Sequence, residues 1–554
     1  MEASGPGVRL RFAAGTANVF LLLVLSAHAQ TLPQPQRQPR PQPVGAAASA
    51  ADGGAAPVPA RDRQLQQQDA VAPPIFEPYL GVRATATDNS GLLTSDLKRS
   101  DVIGDLEAGL FVRRRSARAS IDGDLRVDFV GYLNHTQPNG ILPHGHLDLR
   151  SELVERAFFF DAAVEAGRTR ADVFAPQGTG PSTVNTISSV SYRLSPYFAR
   201  ELTPEIAAIV RSDTVWTHNT GDEPAVANTQ RDAHLQRFLA RVDRWPLPLG
   251  VSLEASREDT RYSQADGTAL TSESVRAIPN AAIGGDLVVG VIGGREHNES
   301  QTGSITSSRY GVMARWHPST RTQLDGEVEH RFFGTGWGLQ FRHRSPLWVV
   351  EVLTQRIPAA NPVTLDIGRA RTDVASMLES LWKSRYPDVS ERTQAARDVV
   401  LRRQSDLGAP IDISSESAQL VQRNQLVVAL SGVRTTLTGT LYYVRAEALE
   451  GISSPTQGLE TRQWGGSIVL DRRLSRDTAG NVEIAWSDLD GLGVRTGEYA
   501  RQITATATVY RTLSPRTSFS AGVRLMESRS LTTGNTAEQR VNEAQVFAGL
   551  RHRF

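Results

Sequence analysis

His144 and His146 are two residues apart, so on a β-strand both imidazoles would share one face, as paired metal ligands require. No third ligand is evident nearby, and the pair sits at a loop-to-strand edge, where two polar loop residues are the plainer reading. His330 and His343, with Glu327, Glu329 and Glu351, offer imidazoles and carboxylates for acid–base hydrolysis if neighbouring strands bring them together. With 60 Lys and Arg and 59 Asp and Glu in the chain, however, such a grouping is expected by chance. There is no P-loop, Gly-x-Ser-x-Gly elbow, His-Glu-x-x-His helix or dinucleotide fingerprint, so no catalytic residue, metal or cofactor is expected. A third candidate is the set Arg118, Asp122, Asp124, Arg126 and Asp128, charges at even positions of one extended segment. They either pair with and hydrate one another or contact a passing polar solute.

The element that carries those charges is legible from its period. Ala119, Ile121, Leu125, Val127 and Phe129 occupy the odd positions between them, an alternation longer than a typical soluble strand of about five or six residues. It recurs at Ile503, Ala505, Ala507 and Val509 against threonines, and again from Val433 to Tyr443. Crossing a bilayer takes a strand of about 9–11 residues, and open strand edges in lipid would leave backbone groups unpaired, so a closed barrel follows. Turning the charged face to lipid would cost on the order of 10–15 kcal/mol over five charges, comparable to a domain's whole stability. The odd face therefore meets lipid and the charged face the lumen. A soluble β-sandwich or solenoid would explain the alternation but not the strand lengths.

Both ends of the chain agree with a barrel. Arg9 and Arg11, the apolar run Val19–Leu25 and Ala27-His28-Ala29 read as a cleaved signal peptide over 1–29, too short to span a membrane as a helix. Residues 30–74, rich in Pro, Gln, Ala and Gly, read as a disordered periplasmic leader. Residues 75–554 form the barrel. At its end Val546, Ala548, Leu550 and the terminal Phe554 have the form of an insertion signal for the barrel-assembly machinery. The chain has no cysteine, which excludes disulfides, thiolate metal sites and a lipid anchor on cysteine. A formal net charge of +1 argues against a nucleic-acid partner. The expected surroundings are outer-membrane lipid and lipopolysaccharide.

Segments of the right length, joined by alternately short and long connections, imply an all-β transmembrane antiparallel barrel of about 22 strands, within roughly 16 to 24. Asn280 and Gly334 blur two boundaries. One extracellular-side connection, 358–417, breaks the alternation. Val374, Met377, Leu378 and Leu381 fall at helical spacing, Pro387 ends that helix, and Asp388 with Glu391 opens a second. This insert is either a hairpin packed on neighbouring loops or a lid or plug entering the lumen.

Thr87-Asp88-Asn89, Leu153–Ala162, Ser195-Pro196-Tyr197, Arg315–Thr322 and His330–Gly334 follow one another along the chain. Tyr386-Pro387-Asp388 and Glu391-Arg392 come next, before Gly408 and Pro410. Together, from Tyr79 to Phe554 and without the leader, these segments resemble the outer-membrane proteins associated with the PEP-CTERM/exosortase system. The resemblance implies an outer-membrane barrel serving exopolysaccharide export or the sorting of surface proteins, with exopolysaccharide or its export proteins as partners and no catalytic residues. A general or solute-specific porin and a barrel-embedded hydrolase are the alternatives.

Overall fold

The computed structural model describes residues 75–554 apart from 221–231, 247, 263–269, 301–302, 360–377, 380, 383–391, 393–418, 450–459 and 533–536. The signal peptide, the leader, Val374, Met377 and most of the insert lie outside the described residues.

The chain forms one sheet of 22 antiparallel strands, each paired with its neighbour in sequence. The first seven are β1 (Ile75–Thr87), β2 (Asp101–Arg115), β3 (Ala119–Tyr132), β4 (Gly140–Val154), β5 (Phe158–Arg170), β6 (Thr186–Glu201) and β7 (Ile206–Thr220). Next come β8 (Ala233–Arg244), β9 (Leu249–Tyr262), β10 (Leu270–Ile283), β11 (Leu287–Ser300), β12 (Gly303–Ser319), β13 (Thr322–Arg331), β14 (Gly334–Arg344) and β15 (Trp348–Ala359). After the insert follow β16 (Gln419–Ser431), β17 (Thr435–Ala448), β18 (Thr461–Arg473), β19 (Thr478–Gly491), β20 (Tyr499–Ser514), β21 (Thr517–Leu531) and β22 (Gln539–Arg553). The sheet closes where β1 pairs with β22, from Tyr79↔Arg553 to Thr87↔Gln545. Closure leaves no edge, which a lipid environment demands. Asn280 lies inside β10 and Gly334 opens β14 after a two-residue turn, so neither glycine-rich stretch interrupts the count.

The strands are 10–17 residues long because the alternation persists that far, and the two faces differ as it requires. Phe129, Leu106, Leu194, Ile468, Leu525 and Val546 are exposed on the outside, while their neighbours Asp128, Glu107, Ser195, Val469, Arg524 and Gln545 are buried on the inside. Tyr192, Trp216, Tyr310 and Trp464 stand outward nearer one mouth, and Phe158, Trp316, Trp348 and Phe554 nearer the other, an arrangement that suits aromatic rings at the two membrane–water boundaries. No described helix is long and apolar enough to cross a membrane.

The two mouths differ. The one that holds Ile75 and Phe554, here the terminal mouth, has tight turns throughout. Most of the longer connections, including the insert after Ala359, lie at the opposite, loop-side mouth, although the β11–β12 and β13–β14 hairpins there are short.

Candidate functional site: the barrel lumen

The lumen wall is charged where β1–β3 meet β22. Tyr79 donates to Asp124 at 2.8 Å, its ring lying across Gly109 of the intervening strand, where any Cβ would collide with it. Arg126 reaches Asp128 at 3.1 Å and Glu107 at 3.6 Å, and Arg551 of the last strand meets Glu107 at 2.6 Å. Arg113 pairs with Asp122 at 3.0 Å. Three of the five charges singled out above, Asp124, Arg126 and Asp128, therefore share one lumen network, and Asp122 pairs with Arg113 on the same wall. The fifth lies elsewhere. Arg118 precedes β3, is 60% exposed and pairs with Glu155 of the adjacent turn, so it belongs to the rim of the terminal mouth. Tyr79, Glu107 and Arg551 are the members that sequence reasoning missed. Their partners are 45, 19 and 444 residues away, and only strand register brings them together.

A second network crosses β8 to β13. Arg241 reaches Glu254; Arg276 meets Glu254 and Glu329, both at 2.8 Å, and Glu327 at 3.4 Å; Arg309 meets Glu329; and Arg331 meets Glu296 at 2.7 Å. Glu296 also accepts the backbone N–H of Phe332. A third network joins Arg211 to Asp213 at 2.8 Å and Asp161 at 3.4 Å, with Ser195 donating to Asp213. Pairing of this density offsets much of the cost of lining a wall with charge.

The hydrolase grouping does not assemble. Glu327 and Glu329 face the lumen within the second network, but alternation turns His330 to the opposite face, where its ring packs 5.0 Å from Tyr310. His343 likewise lies outward, 4.9 Å from Trp348, while Glu351 is engaged by Arg342 inside. Of the first histidine pair, His144 approaches Asp128 at 3.6 Å. Among the described residues no group of three or more His, Asp or Glu could hold a metal.

The wall from β17 to β20 is different. Many of its lumen side chains are small or hydroxyl-bearing: Thr438, Val469, Ala485, Thr504 and Thr506 are each at most 2% exposed. Three described residues of the insert, Leu378, Leu381 and Trp382, are buried, and Trp382 Nε1 donates to Ser431 Oγ at 2.8 Å. Ser431 ends β16 beside the terminal mouth, whereas the insert departs after Ala359 at the loop-side mouth. Trp382 is thus bonded beside the mouth opposite the one at which β15 ends.

At the C-terminus Val546, Ala548 and Leu550 point outward, and the Phe554 N–H donates to the Pro78 carbonyl at 2.9 Å. On the loop side the seam is held by Thr87 donating to Glu543 at 2.6 Å and by Asp88 accepting from the Ala544 N–H at 2.7 Å. Burial raises the Asp88 carboxyl, but that hydrogen bond and the Lys98 ammonium outweigh it and hold the group below the usual carboxylate range.

No family model matches the chain, and no curated protein matches it. Among solved structures it is similar to the ferric citrate transporter FecA (10% identity, TM-score 0.47, covering 87% of this chain and 79% of that one). It is also similar to the siderophore receptor PirA from Acinetobacter baumannii (9%, 0.42, 87% and 81%) and to OpdK from Pseudomonas aeruginosa with vanillate (8%, 0.31, 86% and 99%). These superpositions are loose, and the fold rests on the strand pairing alone.

Proposed function

We propose that the protein is an outer-membrane transport barrel closed at rest by its own insert. The observation that carries this reading is the Trp382–Ser431 hydrogen bond, which ties the insert to the wall at the mouth opposite its entry. A barrel of 22 strands is either an open channel or a plugged one. The loop-side mouth is extracellular and the terminal mouth periplasmic, the usual placement of long and short connections.

The cargo class follows from the resemblance: exopolysaccharide or a sorted surface protein, with the corresponding export proteins as partners and the barrel-assembly machinery inserting the chain. Described residues of that resemblance serve barrel architecture: Phe159 of one motif stacks on Tyr197 of another at 5.0 Å, and Arg315–Thr322 surrounds the β12–β13 turn.

Deleting Asn361–Asp412 and bridging the gap with Gly and Ser should raise single-channel conductance in planar bilayers severalfold. Intact protein that already conducts like an open porin, unchanged by the deletion, would overturn the plug and favour the porin reading. Loss of the gene should lower surface exopolysaccharide; normal exopolysaccharide with impaired solute uptake would overturn the cargo assignment.

A further inference from the structure

The connection between β5 and β6, residues 171–185, does not project away from the barrel. Its aromatic residue, Phe174, is 0% exposed and packs with Val173 against Leu489 and Ala500, lumen-facing residues of β19 and β20. Those strands are not neighbours of β5 and β6. Around the closed sheet they stand on the far side of β1 and β22, so the loop must cross part of the loop-side mouth to reach them. Two further contacts fix the crossing. Gln502 of β20 donates to the Gln177 carbonyl at 3.2 Å, and Gly180, at φ +72°, lies so close to the buried Arg524 guanidinium of β21 that a Cβ there would collide with it. Val184 joins Leu92 of the β1–β2 connection against Met526 and Val541 on the same wall.

The base of the loop is latched by one side chain. Asn185 adopts φ +52°, which asparagine tolerates better than most residues. Its amide donates to the carbonyls of Asp172 (2.8 Å), Ala175 (3.1 Å) and Pro176 (3.2 Å), and its carbonyl accepts from the Asp172 N–H at 2.6 Å. Tyr132 adds a brace from β3, accepting the Thr183 N–H at 3.1 Å.

We propose that residues 171–185 form a constriction loop, anchored by Phe174 and latched by Asn185, that sets the largest solute able to enter the lumen from the loop-side mouth. This rests on the transport reading given above, but it concerns a different segment from the insert and a different property, size rather than closure. An inward loop held by apolar packing on the opposite wall narrows a mouth without needing to move. Its effect is felt by any solute that passes once the insert is displaced.

Two experiments on the full-length chain test it. Because the protein has no cysteine, Gln177→Cys with Gln502→Cys introduces the only thiols. A short bismaleimide should join them within the folded barrel, and adding Asn185→Ala should lower the yield. Absence of the crosslink in folded protein would overturn the crossing. For the size limit, Trp382→Ala frees the insert, and sugars of increasing length are then followed by liposome swelling. Adding Phe174→Ala or Asn185→Ala should raise the rate with a trisaccharide severalfold and leave the monosaccharide rate little changed. If the Trp382→Ala barrel conducts but neither substitution moves the size limit, the constriction is overturned alone. If neither that barrel nor the insert deletion admits even a monosaccharide, the transport reading falls with it.

Discussion

Each lumen arginine in the second network is a charge placed where few waters can reach it, so its partners matter more than its own side chain. Glu329 accepts from both Arg276 and Arg309, and its carboxylate is 5% exposed. Glu329→Ala should therefore destabilise the folded barrel by about 3–5 kcal/mol, because it strands buried charge. Combining Arg309→Met with Glu329→Leu should recover most of that loss. Urea unfolding in lipid vesicles measures both, and a double variant as weak as the single one would count against the pairing argument. The outer face obeys the opposite rule. Leu125 lies outward opposite Leu110, and Leu125→Arg should cost about 2–4 kcal/mol near the midplane, with Leu125→Phe as a tolerated control. Equal stability of the two variants would mean the register is wrong. Alternation alone makes Arg126→Leu look harmless; the structure makes Arg126 the bridge between Glu107 and Asp128, so its removal leaves two carboxylates facing each other.

At the scale of elements, the seam between β1 and β22 is the last pairing to form in sequence order and the one that removes both edges. Its terminal-mouth end is held through the Phe554 backbone. Deleting Phe554, or Phe554→Asp, should reduce the heat-modifiable folded species in the outer-membrane fraction while synthesis continues; a wild-type amount of folded barrel after deletion would count against an insertion role. At the loop-side end, Asp88 holds the Ala544 amide with a carboxylate whose pKa is depressed. A depressed carboxylate contributes stability that is full above the ordinary carboxylate pKa and is lost as pH falls through the lowered value. Protection of the Ala544 amide from hydrogen exchange, corrected for intrinsic exchange, should decline only on that acid side. Asp88→Asn should remove the pH dependence, and a dependence that persists in Asp88→Asn would assign it to another group.

For the whole molecule, the consequence of 22 strands is space that must be filled, and described residues of two loop-side connections bear on it. Trp382 of the insert is bonded beside the terminal mouth, and Phe174 of the β5–β6 loop packs near the loop-side rim. If the Trp382 contact is the resting state, a short bis-methanethiosulfonate, which spans the space the indole leaves, should join Trp382→Cys to Ser431→Cys. The crosslinked barrel should then stay closed in moderate urea and open when reductant cleaves the link. Urea-induced opening that ignores the crosslink would place the plug elsewhere.

The sequence by itself determined the kind of fold, because a period of two sustained over strand after strand leaves charge no place but the lumen and lets no strand edge remain in lipid. Strand number and facing follow from local pattern, so Asp122, Asp124, Arg126 and Asp128 were legible as one face, and the insert was legible as the place where alternation stopped. What faced what was not. Tyr79 with Asp124, Glu107 with Arg551 and Phe174 with Leu489 are joined by register and closure, which depend on every strand between them. Alternation itself separated His330 from Glu329, neighbours in sequence and on opposite sides of the wall, and the turn before β3 set Arg118 on the rim rather than in the lumen. Local periodicity encodes which way a side chain points; only the closed sheet decides which other side chain is there to meet it.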